Sequence, residues 1–162
     1  MPAKPVIVNS TPLVTFWAIG RLDILQSLFN EIVIPGAVRD EFLATEKEKR
    51  RRTLRDETWI RVVEVQNNLQ AKAFVGLDTG EAEVLILAGE LGASLVLIDE
   101  LKGRRFAERL GLPLSGTLGV LLLAKEEKII TAVAPLLHKI QEAGLYFHNE
   151  LIERVLKLAG EN

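Results

Sequence analysis

The chain contains no cysteine. That absence excludes disulfides, thiolate zinc sites and cysteine nucleophiles together, and leaves oxygen ligands as the main metal-binding resource. A hard cation such as Mg2+ or Mn2+ suits such ligands best. An excess of charge is missing too: 20 basic residues face 22 acidic ones and the pI is near 5.8. The chain therefore has no global electrostatic footprint of a nucleic-acid binder, and any RNA or DNA contact must come from a local patch. Long hydrophobic runs are also absent. Met1 to Asn9 carries one lysine and a short apolar run broken by prolines, too short for a signal peptide or a bilayer span. The expectation is a cytoplasmic chain with no membrane segment. His138 and His148 lie in the helical C-terminal part with no motif around them and receive no role.

What is present is apolar material in quantity. With 162 residues and 48% hydrophobic content, the chain is long enough for one well-buried domain and too short for two ordinary ones. Residues 1–162 are expected to form a single domain.

Val6-Ile7-Val8 is short, β-branched and continuous, the pattern of a strand buried on both faces of a parallel sheet. Ser10 or Thr11 can cap the next segment, Pro12 suits a first helical turn, and Leu13, Phe16, Trp17 and Ile19 supply an apolar face ending at Gly20. A second helix is predicted from Leu22 to Phe29, a strand from Glu31 to Ile34, and a helix from Gly36 that carries Glu41. The charged run Glu46 to Arg52 reads as an exposed helix or loop. Trp59 to Val65 alternates like an edge strand, and a helix is expected from Asn67 to about Val75. Asp78-Thr79-Gly80-Glu81 has the form of a capping box ahead of a helix to Leu91. Ser94 to Ile98 is the most hydrophobic strand, followed by a helix over Leu101–Leu110 and a short strand over Leu112–Leu114. From Thr117 the chain is helical, broken near Lys128–Thr131 and Gly144, and ends in an amphipathic helix built on Leu151, Ile152, Val155, Leu156 and Leu158. Strands alternating with helices predict a three-layer α/β fold with a mainly parallel central sheet, whose ligands gather at the carboxyl ends of the strands.

Asn9 and Asp99 fall at such ends, and Glu41 and Glu81 fall on helices that follow strands or turns. Each has a structural alternative when taken alone: Asp99 as the N-cap of the next helix, Glu81 as the glutamate of a capping box, Glu41 as a solvated acid on an amphipathic helix. Their order along the chain is what joins them. Val8-Asn9-Ser10-Thr11-Pro12-Leu13, Ile34-Pro35-Gly36-Ala37-Val38-Arg39-Asp40-Glu41, Leu77-Asp78-Thr79-Gly80-Glu81-Ala82-Glu83, Leu97-Ile98-Asp99-Glu100 and Gly111-Leu112-Pro113-Leu114-Ser115-Gly116-Thr117-Leu118-Gly119 follow one another as they do in PIN domains. Over nearly its whole length the chain resembles that family, including its VapC-like toxin ribonucleases. Its Asn-Ser-Thr-Pro-Leu start resembles an uncharacterised branch with Asn in place of the first Asp.

The resemblance implies a PIN-like fold in which Asn9, Glu41, Glu81 and Asp99 are metal ligands for Mg2+ or Mn2+, with Glu41, Glu81 and Asp99 catalytic. Glu83 and Glu100 rank second as ligands or holders of water. It also implies a metal-dependent endoribonuclease hydrolysing RNA phosphodiester bonds, the toxin of a toxin–antitoxin pair, with an RNA substrate, a small antitoxin protein as partner and a homodimeric state. Asn9 departs from the family's aspartate: an amide can coordinate Mg2+ but brings no charge and cannot act as a general base. The alternative is therefore a catalytically weakened or inactive PIN-fold module that binds RNA or protein. A third is a metal-dependent phosphatase or DNA nuclease using the same pocket. Ser10, Lys102, Arg104, Arg105 and Thr117 are assigned to substrate. The cations stand beside Asp99 on the next helix, where they contact phosphate or form a solvated face with Glu108. Ser115-Gly116-Thr117 offers backbone amides to an anion or simply caps a helix. Lys49 to Arg52 offers a second basic patch or a solvated helix, and the apolar stretches Thr11–Ile19 and Leu22–Phe29 serve a dimer interface or the core.

Overall fold

A computed structural model describes residues 4–161, apart from the side chain of Asn68; the two ends of the span, Met1 to Ala3 and Asn162, lie outside the described residues. Five parallel strands form the sheet: β1 (Val6–Val8), β2 (Ile32–Pro35), β3 (Ile60–Val63), β4 (Leu95–Leu97) and β5 (Leu114–Ser115), in the order β3-β2-β1-β4-β5. β1 and β2 are buried along their whole length, as continuous β-branched runs covered by helices on both faces must be. β3 is one edge, where Ile60 is buried and Arg61 and Val62 are exposed.

Helices α1 (Ser10–Ala18), α2 (Leu22–Phe29), α3 (Gly36–Phe42), α4 (Lys47–Asp56), α5 (Thr79–Leu91), α6 (Leu101–Arg109), α7 (Thr117–Glu126), α8 (Ala134–Glu142) and α9 (Asn149–Leu158) flank the sheet, giving the three-layer α/β fold that the alternation of strands and helices predicts. α5 is apolar nearly all round, with Val84 to Ala88 buried in succession, which is the composition of a helix enclosed by other elements. It packs on β1, β2 and β4 between α3 and α6 and stops at Gly92, whose φ of 64° is the left-handed conformation that closes helices. The apolar residues of α1 and α2 also go into the core: Leu13, Phe16, Ile24 and Leu25 are fully buried within this chain.

Three predicted elements take other forms. Residues Asn68–Ala73 form a 3-10 turn rather than a longer α-helix, its start held by the Asn67 side chain accepting from the Leu69 amide at 3.1 Å. The last strand lies at Leu114–Ser115, further along than the predicted Leu112–Leu114, because pairing with Val96 and Leu97 fixes its register. The charged run does form α4, but Arg50 turns inward, donates to the Phe42 carbonyl at 2.9 Å and lies over the rings of Trp17 and Phe42. The basic run is thus broken as a surface patch by a buried guanidinium that stacks on aromatic faces.

β1 holds the middle of the sheet, paired with β2 on one side and with β4 on the other, Val8 opposite Leu97. The chain leaves β1 toward β2 and returns on the far side to β4. The ends of β1 and β4 therefore border a topological switch point, where open α/β sheets leave a crevice.

Candidate functional site

Asn9 follows β1 and Asp99 stands just beyond β4; the Asn9 amide donates to the Leu97 carbonyl at 3.0 Å, so the two strand ends are held side by side. α3 brings Glu41 to the rim of the crevice, and the first turn of α5 brings Glu81 into its wall. Asp78 caps α5, its Oδ1 accepting from the Glu81 amide at 2.8 Å. The local reason is the Asp-Thr-Gly-Glu run, which satisfies a helix N-terminus and packs two carboxylates into one turn.

Small residues let these acids approach the backbone. A Cβ on Gly80 would overlap Glu41 Oε1, one on Gly103 would lie 2.8 Å from Glu81 Oε2, and one on Gly116 would lie 2.5 Å from Asp99 Oδ1. Glycine at these three positions makes room for carboxylates that any side chain would displace.

Hydroxyls then orient two of the acids. Ser10 donates to Glu41 Oε2 at 2.8 Å. Thr117 donates twice to Asp99, from its amide at 2.8 Å and its hydroxyl at 2.6 Å. The Thr117 amide thus does receive an anion, and that anion is the chain's own carboxylate. For the same reason Asp99 does not cap α6: Glu100 occupies the N-cap position, and its side chain accepts from Thr11 at 2.7 Å. Glu83 is turned away, accepting the Ala37 amide at the start of α3 at 3.0 Å.

Glu81 differs from the others. It is 6% exposed, and its Oε2 is buried with no hydrogen-bond partner. Burial, then the hydrogen-bonded and charged Asp78 carboxylate, then Glu100 push its pKa up to about 7. The Asp78 backbone pulls weakly the other way. Burial also raises Asp99, against the two Thr117 bonds and Arg104, with Glu100 adding to the rise. Glu41 is raised by desolvation, Asp78 and Glu100 against the Ser10 bond and the Gly80 backbone. All three shifts disfavour negative charge, as expected of carboxylates that are desolvated and crowd one another.

Asn9 is 3% exposed, and its carboxamide makes no side-chain hydrogen bond to cap α1. It follows β1, the strand that pairs with β4 ahead of Asp99. The cations assigned to substrate divide into two kinds. Arg104 is drawn in, donating to the Ile98 carbonyl at 2.8 Å under Asp99. Lys102 and Arg105 are exposed on the outer flank of α6, where with Arg109 and Phe106 they line a small hollow beside Val75 and Gly76. Asp78 is the residue that sequence reasoning treated only as a cap, and its signal was available: an acid three residues before Glu81 must share that helix turn.

Whether these residues fit a divalent cation can be judged from the donors. Oxygen ligands, an orphaned buried carboxylate oxygen and acids made harder to ionise by one another are what a Mg2+- or Mn2+-type ion would complete. Among the described residues no group of three Asp, Glu or His side chains is drawn together tightly enough to hold an ion unaided. An ion that keeps several of its waters does not need such a cage.

A three-layer parallel α/β fold with acids gathered at its switch point defines a class of strand-end carboxylate sites. A family model described as a PIN domain matches residues 5–161, and the chain belongs to the PIN-domain family. That family has a nuclease-type fold; its members are commonly hydrolases that use divalent metal ions, and the family points to RNA as a ligand. A search of curated proteins returned no match. No described helix is long and apolar enough to cross a membrane.

Proposed function

We propose that the chain is a Mg2+- or Mn2+-dependent endoribonuclease in which Glu41, Glu81 and Asp99, with the Asn9 amide, hold the ion. The observation that carries this reading is Glu81 Oε2, a buried carboxylate oxygen without a partner inside an acidic cluster. Unpaired buried charge is costly, and a cation is the group that relieves it.

The ion's contribution, when bound, is positive charge that acidifies water and offsets the charge of the phosphate. The chain's own residues prepare the site for that. Thr117 fixes Asp99 through two hydrogen bonds and Ser10 fixes Glu41 through one. Asp78 and Glu100 keep the local potential negative. Water attacks the phosphorus in line, the bond to the ribose 3′ oxygen breaks, and the products carry a 3′-hydroxyl and a 5′-phosphate. We further propose a VapC-like role: residues 1–162 act as one PIN-like domain in the cytoplasm, as a homodimeric toxin blocked by a small antitoxin protein. The single continuous core supports the domain reading, and the family membership supports the role.

A second reading, a weakened or inactive RNA- or protein-binding module, is favoured by Asn9, a neutral amide at the end of β1 where the resemblance expects a carboxylate. Purified protein is to be assayed on single-stranded RNA with Mn2+. Cleavage that disappears in both Asp99→Asn and Glu81→Gln supports the nuclease, and cleavage undiminished in both overturns it.

A further inference from the structure

A groove of about 810 Å³ opens directly beside the acidic cluster. Asp99, Glu100 and Arg104 line it, and so does the segment joining α8 to α9, which forms a wall of its own. That segment is extended and alternates: Leu145 and Phe147 turn in and pack against the core, while Tyr146 and His148 turn out. Tyr146, the chain's one tyrosine, is 76% exposed and meets the His148 ring edge-on, with centroids 5.8 Å apart. One turn into α9, Arg154 joins the same wall and forms no ion pair among the described residues.

Gly119 lies within α7 and also lines the groove; a Cβ there would run into the Ser115 hydroxyl, so the glycine makes room for that side chain.

An exposed aromatic on an anchored wall is poorly explained by the chain's own stability, since it buries little there. An aromatic face beside an arginine is the combination that takes an unstacked base together with its phosphate. A base inside a duplex is already stacked on both faces and cannot lie on Tyr146. Charge is placed to match: Asp99 and Glu100 line the groove beside Arg104, where the scissile phosphate would meet a metal ion, and Arg154 lines it from α9, where a flanking phosphate would run.

We propose that this groove is the nucleotide-binding track of the chain, that Tyr146 stacks an unpaired base of single-stranded RNA, and that Arg154 holds the neighbouring phosphate. The proposal deepens the ribonuclease reading and rests on it for the choice of RNA. Its test does not require cleavage.

Binding of a fluorescein-labelled single-stranded RNA to the full chain is measured by anisotropy in EDTA. Tyr146→Ala and Arg154→Ala are each expected to weaken binding at least about fivefold, the scale of one lost stacking or phosphate contact. Tyr146→Phe should restore the loss, and a blunt duplex of the same sequence should bind wild type weakly. Affinity for the single strand unchanged within about twofold in both alanine variants overturns the proposal even if the enzyme cleaves RNA. A wild-type dimer that Tyr146→Ala converts to monomer in light scattering also overturns it, because a second copy then fills the groove. Tyr146-dependent binding without any Mn2+-dependent cleavage upholds the track and removes the nuclease.

Discussion

Glu81 and Glu161 are both glutamates that the fold removes from bulk water, and it moves their protonation in opposite directions. Glu161 follows α9 and has every approach satisfied: Oε2 accepts from Lys125 Nζ at 2.9 Å and from the Val133 amide at 2.8 Å, and Oε1 accepts from the Ala134 amide at 3.0 Å. Although burial alone would raise it, these donors hold its pKa down at about 2. Glu81 has a neighbouring carboxylate where Glu161 has a lysine, and one oxygen with nothing at all. Glu161 is a staple tying the C-terminus to the start of α8. Glu81 has no such donors, so the fold favours its protonated form where it favours the ionised form of Glu161.

The contrast is broken most directly by neutralising each residue. Glu81→Gln is expected to lower Mn2+-dependent RNA cleavage by about 10²-fold or more, while the urea midpoint of the metal-free protein holds or rises, since a like-charge contact is removed. A variant that unfolds more easily while cleaving normally would assign Glu81 to structure.

Glu161→Gln should do the reverse. Losing charge-assisted bonds to a lysine and two amides is expected to cost roughly 1–3 kcal/mol of stability, read as a lower urea midpoint, with cleavage at saturating Mn2+ unchanged below the melting temperature. A neutral effect on stability would show the staple to be slack.

pH separates the two acids into different windows. Glu81 has a folded pKa raised from 4.5 to about 7. Between those values the folded chain binds the extra proton, so the contribution of Glu81 to stability without metal is complete below pH 4.5 and is lost as pH rises to 7. Glu161 is lowered from 4.5 to about 2; its contribution is complete above pH 4.5 and is lost as pH falls toward 2. Urea midpoints of wild type and both glutamine variants in EDTA should therefore diverge from wild type above pH 5 for Glu81→Gln and converge on it below pH 3 for Glu161→Gln. Mn2+ added at pH 7.5 should raise the melting temperature of wild type more than that of Glu81→Gln.

The smallest effect is expected from Asn9→Asp. One more buried carboxylate should lower metal-free stability and tighten Mn2+ binding severalfold by calorimetry. Higher cleavage in this variant would mark Asn9 as an attenuating residue. Unchanged affinity and rate would show that the amide already serves as a ligand.

Much of the frame was legible in the residues. Val6-Ile7-Val8 and the apolar run before Asp99 could only be buried strands, and the Asp-Thr-Gly-Glu run could only start a helix. The ordered motifs pointed to the PIN family, which the match over residues 5–161 bears out. What could not be read was direction and partnership. Arg50 looks like its neighbours Lys49 and Arg51 in sequence, yet it alone faces Trp17 and Phe42. Thr117 looks like a free helix cap, yet it is committed to Asp99, 18 residues away. Tyr146 and His148 carried no motif because stacking surfaces need none.

The sequence by itself determined the alternation of strands and helices, the lack of thiol chemistry, and the identity of the acids at strand and helix ends, because backbone periodicity and side-chain chemistry are local properties. The tertiary structure decided which acids are answered. Glu161 and Glu81 are the same residue type, and only the distance to donors brought from remote parts of the chain makes one a staple and leaves the other open, since charge interactions depend on separation in space and not along the chain.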